Sequence, residues 1–547
     1  MITRIENFLS KYEALVLILL LAAFLVVNSQ ALSWGLPASW NPDELARVVI
    51  RTLNDGEPFN QTNFDYPSLP KYVMLLIGRI TDSLGYPRTV YFLAARFFSV
   101  FLGAMIVWLA YALVRQLGGK RWSALLAALL VATNNQLSLN SHFAHNDMYV
   151  TFFAGMTLLF SIKYLKSENK GWLYVAFFTA GMTASSKYNG GAIMLVVVLA
   201  YLMLKGKQIF RDKMTTFETL FTGIGLTVLG YALGTPTALT HLSFYFRHLI
   251  PTLWYQANYE RYPNSVIGLI KQWQYLYVVL GPIFFILIML TLIVVIVATI
   301  QYLRKRNVSD YQHGRLFLLL LAGLFLLDLP ILISYNVQNR YFLPLLPGLA
   351  VVVAIGVELL VEKVEQNNKA RLYQSIIAGL CILGVLWGAL RVASVIVLME
   401  NDARNPAGEY LKSLPAGVSV ERTFYSPIFY DKERFSSYVE YPLIFLKFAD
   451  QQITDPYGRE YNVGEEGIEK RKPDYLIVSS FMYTRFVNHY ICERHQADCN
   501  FFRDLLAGDT NYQKIAEFHY DLPWYLPFPK IDANFVNPDI LVFKRDK

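Results

Sequence analysis

Long apolar stretches recur along this chain as far as Met399, separated by short loops, and then stop. A hydrocarbon layer about 30 Å thick takes about 20 apolar residues per helix, and most of these stretches reach that length. Backbone groups in such a layer meet no water, so each stretch has to be helical. Composition agrees: 54% of residues are hydrophobic and only 16% are charged, where a soluble domain carries about a quarter charged. The expected spans are 14–32, 89–113, 122–139, 147–165, 172–186, 190–204, 217–235, 274–302, 315–334, 342–361 and 372–399, about 11 in all. The runs near Ala184 and Gly190 are short enough for broken helices. The first run exceeds a signal-peptide h-region and lacks a small-x-small cleavage site, so it reads as an uncleaved first span.

The formal charge of +8 is not laid out as a nucleic-acid surface. Basic residues gather in short loops at Arg4/Lys11, Arg115/Lys120/Arg121, Lys163/Lys166/Lys170, Lys205/Lys207/Arg211/Lys213, Arg304/Lys305/Arg306 and Lys363/Lys369/Arg371. These fall on one side if the spans alternate, and the positive-inside rule makes that side cytoplasmic. The N-terminus is then expected in the cytoplasm. The opposite face receives an outer loop (33–86), the turn from His142 to Asp147, a loop from Pro236 to Gln274, and everything beyond residue 399. A plasma membrane, bacterial or archaeal, is the expected location.

Beyond Asn401 the pattern changes to GEYLKSLPAGVSV, KPDYLIVSS and PDILVFKR, a helix followed by short strands. This predicts a soluble α/β domain over 400–547, outside the cytoplasm, beside a membrane domain over 1–399. Its many aromatic residues suit sugar stacking, and equally suit packing. Two readings of Cys492 and Cys499 stand. A local disulfide fits an oxidising compartment; a metal site with His495 has an incomplete ligand set. Cys381 lies in an apolar run and reads as a packing residue.

Three groups of residues with chemical potential fall on the outer face. Asp43 and Glu44 occur in WNPDE, just before an amphipathic piece with Leu45, Val48, Val49 and Leu53 at helical spacing. Asn41 followed by Pro42 predicts that helix's start, so the acids also serve to complement its dipole. The turn HFAHNDMY brings His142, His145 and Asp147, the last of which also suits capping of a helix from Met148. Lys71, Lys187 and Arg340 form a basic set. Arg340 alone reads as a snorkelling residue, but Lys187 in a glycine-flanked break is costly without a partner. Carboxylates beside cations at a membrane face suit an anionic lipid substrate and a hydroxyl acceptor.

The order of WNPDE, DYPSLPKY, AARFFSVFLGA, SHFAHNDMYVTFF, ASSKYNGG and NRYFLPLLPG, over roughly residues 1–360, resembles the GT-C glycosyltransferases. Within them it is most similar to the protein O-mannosyltransferases and the aminoarabinose transferases of lipid A. The resemblance implies a polyprenyl-phosphate sugar donor, an outer-facing site and a lipid, glycan or protein acceptor. It also implies Asp43 as base, Glu44 assisting or orienting it, Asp147 as a second acidic motif, and Arg340 with Lys187 at the donor phosphate. His142, His145 and Lys71 are further substrate-binding candidates. Some GT-C enzymes use a divalent metal and others do not, so a metal stays open. The stretch His241–Gln274 is too short for the soluble insertion of eukaryotic protein mannosyltransferases, which leaves a protein acceptor in doubt. A transporter or flippase of a lipid-linked or small anionic substrate uses similar residues, but along a path and often with internal repeats. Here the charges collect at one face.

Overall fold

The structure is a computed structural model. It describes all residues except 1, 38, 56–65, 207, 259–265, 306, 366–367, 430, 442–467, 470, 488–491, 493–495, 528–534 and 547. The described chain forms two compact units, Met1–Ala393 and Ser394–Lys547.

The first unit is helical throughout. It opens with α1 (Ile2–Asn28), α2 (Leu45–Asp55), α3 (Leu69–Ser83) and α4 (Arg88–Gln116), then α5 (Arg121–Ala132), α6 (Asn135–Ser141) and α7 (Asp147–Ser167). It continues with α8 (Lys170–Ser186), α9 (Met194–Lys205), α10 (Gln208–Arg211), α11 (Lys213–Gly234), α12 (Thr237–Thr240) and α13 (Leu242–Asn258). The rest is α14 (Gly268–Leu280), α15 (Pro282–Arg304), α16 (Val308–Leu332), α17 (Leu346–Val364) and α18 (Ala370–Glu400), which runs into the second unit. Two 3-10 turns, Tyr188–Ile193 and Asn339–Leu345, lead into α9 and α17.

Among the described residues, nine helical stretches are long and apolar enough to cross a membrane. The chain is thus a polytopic α-helical membrane protein. Of the other expected spans, 172–186 is α8, at 17 residues. The span 122–139 is divided into α5 and α6. The break is built by Asn134, whose side chain accepts from the amides of Gln136 and Leu137 at 3.1 and 3.0 Å. The expected span 274–302 is also divided, at Gly281 (φ +75°) and Pro282. Carbonyls freed in a membrane need donors. Asn134 donates to Val279 O at 2.8 Å and Arg391 to Val278 O at 2.6 Å.

Helices α4, α7 and α17 are the most enclosed spans, whereas α1, α11, α15 and α18 keep large apolar side chains on the outside. Because lipid tails are as apolar as leucine, helix contact depends on close fit between small residues. At the α8–α11 crossing, a Cβ on Gly181 would overlap the Thr227 carbonyl, and one on Gly230 the Phe178 carbonyl. Thr227 Oγ1 also donates to Phe177 O at 3.0 Å.

The second unit is α/β. After α19 (Arg404–Ser413) come β1 (Ser419–Thr423), β2 (Ser437–Tyr441), β3 (Tyr475–Ser479), β4 (Tyr512–Phe518) and β5 (Ile540–Arg545). The sheet order is β2-β1-β3-β5-β4. β1 runs parallel to β2 and β3, and β5 antiparallel to β3 and β4. Side chains alternate between faces along a strand. Leu476, Val478, Leu541 and Phe543 accordingly join one core cluster, and Tyr475, Ile477, Ile540 and Val542 another. Cys492 and Cys499 are joined in a disulfide, which consumes both thiols that a metal site would require. His495 lies outside the described residues.

The α8–α11 contact predicts that Gly181→Val lowers thermal stability in detergent, since overpacking costs about 1–3 kcal/mol. Gly225→Val on α11 is the control, because a Cβ there meets nothing within 4 Å. A fluorescence-monitored melt in which both variants match the parent contradicts the close crossing.

Candidate functional site

The site begins with an arginine inside a span. Arg96 of α4 is fully buried, and a cation at that depth is costly unless every donor is used. Its Nε and one terminal nitrogen donate to the two oxygens of Glu44, each at 2.8 Å. The other terminal nitrogen donates to the carbonyls of Leu32 and Trp34 at 2.6 and 2.8 Å. Glu44 also accepts from the Ser39 hydroxyl and, at 3.0 Å, from the backbone amide of Ala144. One arginine–glutamate pair therefore ties the loop after α1, the start of α2 and the turn before α7 to α4.

This clamp displaces the helix start expected from Asn41 and Pro42. Asn41 Oδ1 does accept from the Asp43 amide at 2.9 Å. The amide of Leu45 instead donates to Ala144 O at 2.9 Å, and α2 begins at Leu45, beyond both acids. Neighbouring side chains then part company. Glu44 is sealed against Arg96, while Asp43 keeps 31% of its side chain exposed. Burial pushes the Glu44 carboxyl up, but Arg96 and the donated hydrogen bonds outweigh that and hold it below the usual range.

Asp43 receives Arg340 at 2.8 Å. The same guanidinium brings Nε to 3.9 Å from Asp147, so it bridges the two acids. Asp147 is 1% exposed. It takes Lys187 Nζ on one oxygen and His145 Nδ1 on the other, both at 2.7 Å. Its side chain is thus spent on Lys187 and His145 rather than on capping, and it sits in the first turn of α7, where the helix dipole favours negative charge.

Both cations arrive through broken helices. Lys187 is extended (φ −156°, ψ 131°) between α8 and the 3-10 turn, which aims its chain toward α7. Gly190 permits the turn to pack there, since a Cβ would lie 2.7 Å from Val150. Arg340 lies in the 3-10 turn before α17. Lys187 Nζ also sits 4.2 Å from the Tyr341 ring centroid.

Lys71 is buried and donates to Tyr66 O at 3.2 Å. The Tyr66 ring meets His145 edge to face at 5.2 Å. Burial pushes the Tyr66 hydroxyl up, so it remains a donor. The structure therefore gathers Asp43, Asp147, His145, Lys187 and Arg340, with Lys71 joined through Tyr66. It does not bring His142 to them by any contact. The His142 ring nitrogens lie 2.8 and 2.9 Å from the carbonyls of Ser138 and Gln30, where the ring braces α6 against the end of α1. Glu44 is likewise turned away, into the clamp.

Arg96, Tyr66 and Tyr341 were not among the expected site residues. An arginine inside an apolar run (AARFF) was the available signal for Arg96. For the tyrosines it was their place beside Lys71 and Arg340 in the quoted motifs. Among the described residues, no three of His, Cys, Asp and Glu converge to hold a metal, and each cluster carboxylate faces a cation.

The buried pair predicts that Arg96→Leu, which leaves Glu44 unpaired, costs about 3–5 kcal/mol. Hydrogen exchange in α2 and in residues 142–146 reports the loss. The pH dependence has a fixed sign. A carboxyl held low in the folded state contributes fully above its unfolded value and loses that contribution as pH falls through the folded one. Protection of α2, corrected for intrinsic exchange, is therefore constant between about pH 5 and 8. A decline within that window contradicts the clamp.

Residues 78–256 match the family model for dolichyl-phosphate-mannose-protein mannosyltransferase. The chain is 27% identical over 168 residues to dolichyl-phosphate-mannose–protein mannosyltransferase 1 of Saccharomyces cerevisiae, covering 30% of this chain and 20% of that one. It is 27% identical over 181 residues to protein O-mannosyl-transferase 1 of Danio rerio, covering 32% and 24%. It thus spans about a fifth to a quarter of the length of these curated relatives. Among solved structures, ArnT of Cupriavidus metallidurans bound to undecaprenyl phosphate superposes with a TM-score of 0.52 at 12% identity, covering 96% of this chain and 97% of that one. The oligosaccharyltransferase of Archaeoglobus fulgidus tethered to an acceptor peptide gives 0.50 at 12% identity, covering 95% and 75%. The chain has the GT-C glycosyltransferase fold and resembles, within it, the protein O-mannosyltransferase and aminoarabinose transferase group.

Proposed function

We propose that this protein is a membrane glycosyltransferase that moves a sugar from a polyprenyl-phosphate donor to a hydroxyl or phosphate acceptor at the outer face. The observation that carries this reading is the Asp43–Arg340 pair. It joins the most accessible carboxylate of the cluster to a guanidinium that also reaches the buried Asp147. The match to a mannosyltransferase family model and the superposition on a protein bound to undecaprenyl phosphate support the donor class. The disulfide in the second unit supports an extracytoplasmic C-terminal region and, by span parity, an outer-facing site in the plasma membrane.

The chemistry follows from which charges exchange. While Arg340 holds Asp43, the carboxylate is a poor base. A donor phosphate competes for Arg340 and Lys187, since a guanidinium fork matches two phosphate oxygens. Asp147 keeps both cations aimed at that position. Released from Arg340, Asp43 takes the proton of the acceptor hydroxyl as its oxygen attacks the anomeric carbon. The carbon–phosphate oxygen bond breaks, and polyprenyl phosphate leaves with the electron pair, stabilised by the same cations. Attack opposite the leaving group inverts the anomeric centre. Glu44 orients Asp43 through the clamp and takes no proton.

The test is transfer from synthetic polyprenyl-phosphate sugars to envelope extracts by the purified full chain. Asp43→Asn should reduce turnover by about 10²–10⁴-fold, the usual size of general-base catalysis. Undiminished turnover by Asp43→Asn contradicts the base assignment, and uptake or flipping without any transfer contradicts the enzyme reading. Sugar identity is an outcome of the donor panel.

A further inference from the structure

Buried polar atoms in a folded chain nearly always have a partner, and each exception calls for a cause. Among the described residues, the side-chain amide oxygens of Asn146, Asn189, Gln272, Asn336 and Asn339 are buried with no hydrogen-bond partner. The four asparagines belong to the segments that carry the charged cluster. Asn146 immediately precedes Asp147 and Asn339 immediately precedes Arg340. Asn189 lies two residues after Lys187, and Asn336 four before Arg340.

Two of the four are enclosed as whole residues, Asn146 at 0% and Asn336 at 7% exposure. The Asn146 amide orientation is set by its own contact, because Nδ2 donates to Ser186 O at 3.2 Å. That leaves Oδ1, an acceptor, as the orphan. Asn336 Nδ2 likewise points to Tyr341 Oη at 3.5 Å, the ring that lies against Lys187. Arg340 Nε and His145 Nε2 are also without hydrogen-bond partners.

These orphans divide by chemistry. A phosphate offers only acceptors, so it suits the cations and is repelled by amide oxygens. A polyprenyl chain offers neither donors nor acceptors. Of the parts of a lipid-linked sugar donor, only the sugar hydroxyls offer hydrogen-bond donors to acceptor oxygens beside a phosphate position. We propose that Asn146, Asn189, Asn336 and Asn339 form the sugar-reading part of the site, accepting hydrogen bonds from the hydroxyls of a hexose carried on the lipid phosphate. The inference rests on the donor class proposed above and adds the recognition of its sugar. A site built to receive hydroxyls discriminates strongly against analogues lacking them, because its buried acceptors are then left unpaired.

The test is binding, which needs no acceptor. The purified full chain in detergent is titrated with a short polyprenyl phosphate, with the same lipid bearing β-mannose, and with the 2-, 3-, 4- and 6-deoxy versions. Glucosyl and galactosyl lipids complete the panel. At least one hexosyl lipid should bind more tightly than the bare phosphate. Asn189→Ala and Asn339→Ala, at the less enclosed positions, should each weaken that hexosyl lipid about three- to tenfold, the value of one hydrogen bond. Their affinity for the bare phosphate should stay within about twofold, which controls for folding. Each variant should also become indifferent to one particular deoxy position.

Equal weakening of bare and sugar-bearing lipid overturns the proposal, as does an unchanged preference for the sugar. Equal binding of bare and all hexosyl lipids by the parent overturns it as well, while leaving a phosphate site in place. Failure of the bare lipid to bind overturns the donor reading beneath it, and this inference with it.

Discussion

A guanidinium buried inside a span needs its charge met, and much of the outer face is arranged around meeting it. Arg96 sits at 0% exposure with Glu44, itself sealed, and with two backbone carbonyls of the loop after α1. Glu44 reaches in turn to Ala144 in the turn before α7. The loop after α1, the start of α2 and the turn before α7 thus converge on one ion pair. The carboxylate next to Glu44 is left facing the other way, toward Arg340. Replacing such a pair by apolar residues often costs little stability. What it supplies here is register, because Asp43 and Asp147 reach the same guanidinium only while their segments stay docked.

The cluster beyond the clamp follows a second constraint. Charges in a bilayer persist only where partners or water are available. Lys187 and Arg340 lie at broken helix ends, and each is paired with a carboxylate at 2.7 or 2.8 Å. Asp147, with Lys187, Arg340 and His145 around it, fixes their positions. Asp43, partly exposed, is the carboxylate that can exchange partners. A resting site of this kind is nearly charge-compensated, so under the proposed mechanism an arriving phosphate gains Arg340 by displacing Asp43 rather than by meeting bare cations. In that proposal the activation of the base and the binding of the leaving group become one event.

Much of this was legible in the sequence because lipid leaves so few options. Apolar runs gave the spans, basic loops gave a consistent parity, and three alternating stretches gave three strands of the second unit. Asp43, Asp147, Lys187 and Arg340 were each conspicuous as charges at membrane ends. Their partners were not. Adjacency made Asp43 and Glu44 look like a pair, whereas Glu44 is held by a residue 52 positions away. His142 and His145 looked equivalent in one turn, yet only His145 faces Asp147. The break at Gly281 depends on donors from other helices, Asn134 and Arg391, which no local pattern encodes. Tertiary pairing, rather than local propensity, decided each of these cases.

In the proposed mechanism one guanidinium serves two partners in turn, the base before the donor arrives and the phosphate afterward. The most direct measurement is a structure of the full chain with a polyprenyl-phosphate sugar bound. The expected result is a phosphate oxygen within hydrogen-bonding distance of Arg340, with the Asp43–Arg340 contact of 2.8 Å opened and the Asp43 carboxylate turned toward the acceptor side of the anomeric carbon. A donor phosphate held elsewhere, with that contact intact, contradicts it.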